Sequence, residues 1–268
     1  MPITFGSDGA AERYETDVVV VGGGIAGLSA ALGASQAGAS VILVEKSPRD
    51  QRGGNTHFAD AQMRFPHQPD EYGGREYTVE AMYSDLMRIS RGRANPELIR
   101  TLCENARETA EWLTEMGLEW EPGYPHTAGY RRSPKAGGQG LVDLLFRRLE
   151  GEHVAVSYET GARDLIADDA GRIRGVRCIG PEGFVDIEAR GGVVLACGGF
   201  QANVQMRVAH LGRFADSLIL RGSRYNTGEG LMMAIAAGAQ PAGQWGDYHS
   251  AVLDARSPKI ECGVTALY

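Results

Sequence analysis

The most regular pattern of apolar and polar positions lies near the start of the chain. Four consecutive valines, residues 18–21, run into the glycine turn 22–24, and an alanine-rich segment follows. A second apolar run, residues 41–44, then ends on Glu45. Continuous apolar runs of this length are typical of buried strands, and small residues suit a helix that packs closely on a sheet. The pattern predicts a strand–helix–strand unit.

Two helical stretches are predicted before residue 117, and the second has the clearer signals. Asn95 and Pro96 mark its start, and Gly117 marks its end. Apolar residues recur every three or four positions between them, which predicts a helix with one face in the core. The residues on this face are Leu98, Ile99, Leu102, Ala106, Ala110, Leu113 and Met116.

Short alternating segments replace the helical pattern from Val154 to Ile187. Turn signals at 168–171 and 180–183 separate these segments, so the region is predicted to be an antiparallel meander. The apolar run 193–196 then predicts a buried strand that meets a glycine turn. A last helix is predicted from Leu231 to Ala237.

Composition and charge narrow the classes of function. The 268 residues carry a formal net charge of −7, which argues against a general nucleic-acid or membrane-surface role, since such roles need a basic face. No apolar run is long enough to span a bilayer, and the polar N-terminus lacks the pattern of a signal peptide. The cysteines are too far apart for a metal pair or a redox motif, which favours reduced thiols and a cytoplasmic location: Cys103, Cys178, Cys197 and Cys262.

The first glycine turn has the spacing of a dinucleotide-binding fingerprint. Gly22 permits the tight turn, Gly24 allows close approach of a pyrophosphate, and Gly27 lets the helix pack on the sheet. The pyrophosphate would lie at the N-terminus of the helix, where the helix dipole favours negative charge. Glu45, at the end of the second strand, is placed to accept hydrogen bonds from ribose hydroxyls and would repel a 2′-phosphate. NADP is therefore disfavoured.

Three further glycine-bearing segments follow in order, at 53–56, 196–200 and 226–230, the last of them leading into a helix that ends in Ala-Ala-Gly-Ala, residues 236–239. With the first turn they resemble the flavoprotein family of fumarate reductases, succinate dehydrogenases, L-aspartate oxidases and 3-ketosteroid dehydrogenases, and most of all its tricarballylate dehydrogenase branch. The resemblance implies FAD as the dinucleotide and an α/β fold, in which a Rossmann-like FAD-binding domain of the glutathione reductase type carries an antiparallel β-meander. It also implies a domain division, with residues 1–245 as the FAD-binding part and 246–268 as the start of an inserted cap domain of a longer protein.

The family motifs, transferred residue by residue, imply a set of FAD contacts. Glu229 stands where the family pattern T-G-D-G has aspartate, which keeps the charge on a longer side chain. Each later segment, taken alone, also suits an ordinary loop, a strand-end turn or a capped helix start. The implied contacts are Gly22, Gly24, Ile25, Ala26, Gly27, Glu45, Lys46, Gly53, Gly54, Asn55, Thr56, Ala196, Gly198, Gly199, Thr227, Gly228, Glu229 and Gly230.

Candidates for substrate contact are His249, Arg131 and Arg132. His249 partly matches the family's Q-x-H-P pattern, and arginines suit bidentate binding of a carboxylate. A surface histidine and a solvated charge cluster are the alternatives. No proton-transferring residue is predicted, because the resemblance implies that this residue belongs to the cap.

The leading functional hypothesis is an FAD-dependent dehydrogenase or reductase that acts on a carbon–carbon bond beside a carboxylate, with tricarballylate as the first substrate prediction. Hydride would pass to flavin N5, and the electron acceptor is unknown. A 3-ketosteroid dehydrogenase-like enzyme with a ketone substrate is one alternative. A noncatalytic FAD-binding fragment or electron-transfer subunit is another, and an NAD-only dehydrogenase is disfavoured because it leaves the later glycine segments unexplained.

Overall fold

The computed structural model describes residues 12–59, 61–69, 76–121, 131–152, 154–249 and 253–262, without the side chains of residues 131–133. It has two compact units. The first comprises Met1–Phe58 with Leu145–Tyr268, and the second comprises Ala59–Leu144. Among the described residues, no helix has the length and apolar character that a membrane crossing needs.

The first unit is built on one six-stranded sheet. Its strands are β1 (Glu12–Val21), β2 (Val41–Val44), β6 (Val154–Ser157), β7 (Gly161–Ala167), β8 (Ile173–Gly180) and β9 (Gly183–Leu195). Its helices are α1 (Ile25–Gln36), α2 (Gly54–His57), α6 (Val204–Leu211) and α7 (Glu229–Ala236). Helix α5 (Gly137–Glu150) begins in the second unit and ends in the first.

The strand order of this sheet is β6-β2-β1-β9-β8-β7. Strands β6, β2, β1 and β9 are parallel, while β9, β8 and β7 form an antiparallel meander. The α/β fold with a meander is thus confirmed. The prediction that the meander starts at Val154 is wrong, because β6 follows helix α5 and pairs in parallel with β2, as a strand after a helical crossover does.

Parallel pairing aligns the carboxyl ends of the central strands. Val21 at the end of β1 is in register with Val44 of β2 and with Leu195 of β9. Val19, Val20 and Leu43 are fully buried, as expected for strands that are covered on both faces. The loops that follow these strands therefore emerge at one edge of the sheet.

The second unit contains α3 (Val79–Ile89), α4 (Pro96–Glu115) and a small sheet of β3 (Met63–Arg64), β5 (Arg131–Pro134) and β4 (Trp120–Glu121). The predicted start of α4 is confirmed, since the Asn95 side chain accepts hydrogen bonds from Glu97 N–H and Leu98 N–H. The predicted core face is right for Ala110, Leu113 and Met116, which are buried. It is wrong for Leu98 and Leu102, which are 69% and 54% exposed, whereas Ile99 beside them packs against the buried cluster of Tyr77, Met82 and Cys103.

A polar cluster holds the end of the sheet that lies away from the glycine turns. The Asp17 carboxylate accepts hydrogen bonds from the N–H and hydroxyl of Ser40, at 2.8 and 2.7 Å, and from Arg190 Nε at 2.9 Å. The Ser40 hydroxyl and N–H, with Arg190, lower the pKa of Asp17 to about 2. The cluster joins the middle of β1 and the residue before β2 to β9.

The low pKa of Asp17 predicts how stability depends on acid. Because the folded state binds the proton of Asp17 more weakly than the unfolded chain does, the stabilisation is complete above about pH 4, near the ordinary aspartate pKa, and is lost as the pH falls towards 2. Urea unfolding between pH 2 and 7 measures this. Asp17→Asn should flatten the profile between pH 4 and 2, and an unchanged profile would contradict the assignment.

Candidate dinucleotide-binding site

A cavity of about 520 Å³ lies at the carboxyl ends of β1, β2 and β9. Val21, Val44 and Leu195, the last residues of these strands, line it. All four glycine-bearing segments border the cavity. Of the predicted FAD contacts, only Gly27, Gly53, Thr227 and Gly228 do not line it. Open α/β sheets bind their ligands at this edge of the strands.

The first glycine turn has no room for a side chain at Gly22 or at Gly27. Gly22 has a φ of +109°, and a Cβ at this position would lie 2.5 Å from the carbonyl oxygen of Ala196. A Cβ on Gly27 would lie only 1.8 Å from the carbonyl oxygen of Gly22. Gly27 therefore serves the close approach of helix and turn, as the fingerprint predicts, although it does not line the cavity.

The N-terminus of α1 faces the cavity and suits an anion. Gly24 is the N-cap residue and provides no side chain. The backbone N–H groups of Gly24 and Ala26 have no hydrogen-bond partner among the described residues, while the N–H of Ile25 donates to Thr56 Oγ1 at 3.1 Å. Free N–H groups and the helix dipole favour a pyrophosphate here, so the residues fit this part of FAD.

Glu45 is 6% exposed and is held by two backbone groups. Its Oε2 accepts from Gly23 N–H at 2.6 Å, and its Oε1 accepts from Ser47 N–H at 2.8 Å. Each carboxylate oxygen has a second lone pair, so both can still accept from ribose hydroxyls. The contact with Gly23 was not predicted, although this residue lies within the glycine triplet.

Lys46 and Glu229 form a hydrogen-bonded ion pair in the wall of the cavity. Lys46 Nζ lies 2.9 and 3.0 Å from the two carboxylate oxygens of Glu229 and 2.5 Å from Thr227 Oγ1. The Thr227 hydroxyl also donates to Glu229 at 2.6 Å. Burial raises the pKa of Glu229, but the hydrogen bonds from Lys46 and Thr227 outweigh it and leave this pKa below the ordinary value. These three residues bind one another. Their predicted role as FAD contacts stays a proposal.

The third glycine turn meets the fourth through Cys197. A Cβ on Gly230 would lie 2.6 Å from Cys197 Sγ, so the glycine makes room for the thiol. Burial raises the pKa of Cys197 to about 11. The thiol is protonated at neutral pH, which fits a packing role rather than a nucleophilic one.

Asn55, a predicted FAD contact, holds two loops together. Its Oδ1 accepts from Ser223 N–H at 3.0 Å. Beside it, the Tyr225 hydroxyl donates to Gln51 Oε1 at 2.9 Å. The loop before α7 is thereby fixed to α2 through Asn55 and to the segment before α2 through Gln51.

The structure describes the three candidates for substrate contact only in part. His249 is exposed and belongs to the first unit. Arg131 and Arg132 lie on β5 of the second unit, and their side chains are outside the described part of the structure. Their role in substrate binding stays a prediction.

Comparison with known families agrees with this geometry. The model of the family described as "FAD binding domain" matches residues 17–246. The chain belongs to this family of FAD-binding flavoproteins, and its dinucleotide cofactor is FAD.

Individual relatives agree with this family assignment. Urocanate reductase of Eggerthella lenta is 33% identical over 235 residues, which cover 84% of this chain and 38% of that protein. The open conformation of a flavocytochrome c3 fumarate reductase has a TM-score of 0.77 at 27% identity, covering 85% of this chain and 41% of the other. A 3-ketosteroid-Δ4-(5α)-dehydrogenase of Rhodococcus jostii has a TM-score of 0.76 at 27% identity, covering 85% and 55%. The chain therefore spans about two fifths of the length of the curated relative.

A double-mutant cycle measures how much the ion pair of Lys46 and Glu229 contributes to stability. With side-chain exposures of 29% and 34%, the pair should couple Lys46→Met and Glu229→Gln by about 1 kcal/mol in the free energy of unfolding. The coupling should be present at neutral pH and disappear as the pH falls through the lowered pKa of Glu229. The exposed pair Arg49–Glu150 is the control, with a coupling close to zero. Equal coupling in both cycles would contradict the prediction.

Proposed function

We propose that this chain forms the FAD-binding part of a flavin-dependent reductase that acts on the carbon–carbon double bond of a small unsaturated carboxylate. The observation that carries the proposal is the meeting of four glycine-bearing segments, distant in sequence, around one cavity at the ends of three parallel strands. The relatives named for urocanate and fumarate support the substrate class, because both are small acids with a double bond conjugated to the carboxylate.

In the proposed site, different residues of the chain bind different parts of the cofactor and the substrate. The N-terminus of α1 binds the pyrophosphate through free N–H groups, and Glu45 accepts hydrogen bonds from the ribose. The glycine turns at 53–54, 198–199 and 228–230 let the backbone approach the cofactor closely. When bound, FAD supplies hydride transfer to the substrate carbon. His249, Arg131 and Arg132 are proposed to bind the substrate carboxylates.

The domain division and the partners belong to this proposal as well. We place the FAD-binding part at residues 1–245 and the start of a cap domain at 246–268. The electrons come from a separate donor or go to a separate acceptor. Tricarballylate, a saturated tricarboxylate, would donate hydride in the same chemistry run in the oxidative direction. The cytoplasmic location stays a prediction.

A second candidate is a dehydrogenase of 3-ketosteroid-like substrates. The similarity to the Rhodococcus enzyme, with a TM-score of 0.76 at 27% identity, favours it. The noncatalytic alternative, an FAD-binding fragment or electron-transfer subunit, uses the same cavity. The three alternatives differ in what oxidises or reduces the bound flavin.

Anaerobic flavin spectroscopy of the purified chain distinguishes them. The chain is loaded with FAD, reduced with dithionite, and mixed with fumarate, urocanate or a 3-keto-4-ene steroid, while oxidised samples receive tricarballylate. Because the proton-transferring residue is placed in the cap, we expect slow recovery of the oxidised flavin spectrum with an unsaturated acid, but still faster than free reduced FAD gives. Reoxidation by the steroid alone would favour the second candidate. A chain that binds FAD and is inert to every substrate would support the noncatalytic alternative, and a chain that binds NAD but not FAD would overturn the proposal.

A further inference from the structure

Asn226 lies in the wall of the cavity directly before the segment that resembles T-G-D-G. It is 7% exposed and lies between two of the glycine turns. A Cβ on Gly198 would lie 3.1 Å from Asn226 Oδ1 and 3.2 Å from Nδ2, and a Cβ on Gly54 would lie 3.9 Å from Oδ1. The amide group therefore packs against the second and third glycine turns at once.

The backbone of Asn226 is fixed on both sides. Its N–H donates to the carbonyl of Ser223 at 3.3 Å, and its carbonyl accepts from Ala202 N–H at 2.9 Å. The side-chain amide, in contrast, has no hydrogen-bond partner among the described residues. Because Asn226 lines the cavity, its amide group is open to a molecule bound there. Such a molecule can form hydrogen bonds with the amide without displacing a protein partner.

The charged side chains that line the same cavity are already bound to protein groups. Glu45 accepts from Gly23 and Ser47, and Glu229 is held by Lys46. These carboxylates are acceptors, whereas the phosphates and flavin carbonyls of FAD need donors. The Asn226 amide adds two side-chain N–H donors to the free backbone N–H groups of Gly24 and Ala26 in the cavity wall.

We propose that Asn226 is a cofactor-binding residue that donates a hydrogen bond to the flavin-bearing half of FAD. The inference rests on the FAD site proposed above. The adenosine half is already assigned to Glu45, which lies against Gly23 and Ser47, whereas Asn226 lies against Gly54 and Gly198. A donor on this different wall serves the other half of the cofactor.

Binding of whole and half cofactors tests this inference without measuring turnover. FAD and ADP, which carries the adenosine and the pyrophosphate but no flavin, are titrated into the unliganded chain and into Asn226→Ala, with calorimetry as the readout. We expect Asn226→Ala to weaken FAD about 10-fold, the weight of one hydrogen bond to a ligand, and to leave ADP within about 2-fold. The unchanged ADP affinity also shows that the variant is folded.

Two further variants sharpen the outcome. Asn226→Asp keeps the shape but replaces the donors with a charge, so it should weaken FAD at least as much as alanine does. Glu45→Gln is the matched control at the other half and should weaken FAD and ADP by the same factor. Unchanged FAD affinity in Asn226→Ala or in Asn226→Asp would overturn the inference, as would an equal loss of FAD and ADP in Asn226→Ala. A wild-type chain that binds ADP but not FAD would instead overturn the proposed function.

Discussion

Gly27→Ala is expected to destroy the first glycine turn and abolish FAD binding. The added methyl group would lie 1.8 Å from the carbonyl oxygen of Gly22 and 3.3 Å from Ala196 Cβ, and backbone atoms have little freedom to move away. The helix must shift from the sheet, and its N-terminus then leaves the position that suits a pyrophosphate. We expect the free energy of unfolding to fall by about 3 kcal/mol.

The same helix offers a matched control. A Cβ on Gly33 meets no atom within 4 Å, so Gly33→Ala should raise stability by about 1 kcal/mol, because alanine is the better helix former. Urea unfolding and FAD titration of both variants provide the measurements. Wild-type FAD affinity in Gly27→Ala would show that the turn is not the site of close packing.

Glu45→Ala is expected to have the second largest effect. It removes both acceptors of the buried N–H groups of Gly23 and Ser47, which are then left without partners. Hydrogen bonds to charged groups are the stronger ones, so we expect a loss of about 3 kcal/mol in the free energy of unfolding. The affinity for FAD should fall about 10- to 100-fold, since the proposed ribose contacts disappear as well.

A graded series separates these effects. Glu45→Gln keeps one acceptor oxygen and should lose about half as much stability as Glu45→Ala. Glu150→Gln removes a carboxylate from an exposed ion pair and should change stability by less than about 0.5 kcal/mol. If Glu45→Ala were as stable as Glu150→Gln, the two backbone hydrogen bonds would not contribute as described.

The first βαβ unit could be predicted from the sequence because its signals are local. Glycine spacing, an apolar strand on each side and a terminal carboxylate lie within 30 residues, and the geometry depends on little else. The sequence of a short strand does not by itself determine which other strand it pairs with. The apolar positions of Val154–Ser157 suit either pairing, and only the helical crossover before β6 makes the strand parallel.

The burial of a residue depends on which distant segments pack over it. Periodicity predicts that Leu98 and Leu102 share a helix face with Leu113, but it does not show which part of that face is covered. The role proposed for Asn226 is not predicted from the sequence, for a related reason. An asparagine before a glycine segment looks like a turn residue, and its burial arises only when the loops around Gly54 and Gly198 come together.

The cluster of Lys46, Thr227 and Glu229 has a consequence for how the protein is made. Lys46 is separated from its two partners by 181 and 183 positions in sequence, so one wall of the cavity is complete only when helix α7 has been synthesised. The N-terminal dinucleotide-binding fingerprint is synthesised long before that point. The ribosome therefore releases most of this chain before a complete cofactor cavity exists, and FAD is expected to join the protein late in folding rather than to template its first steps.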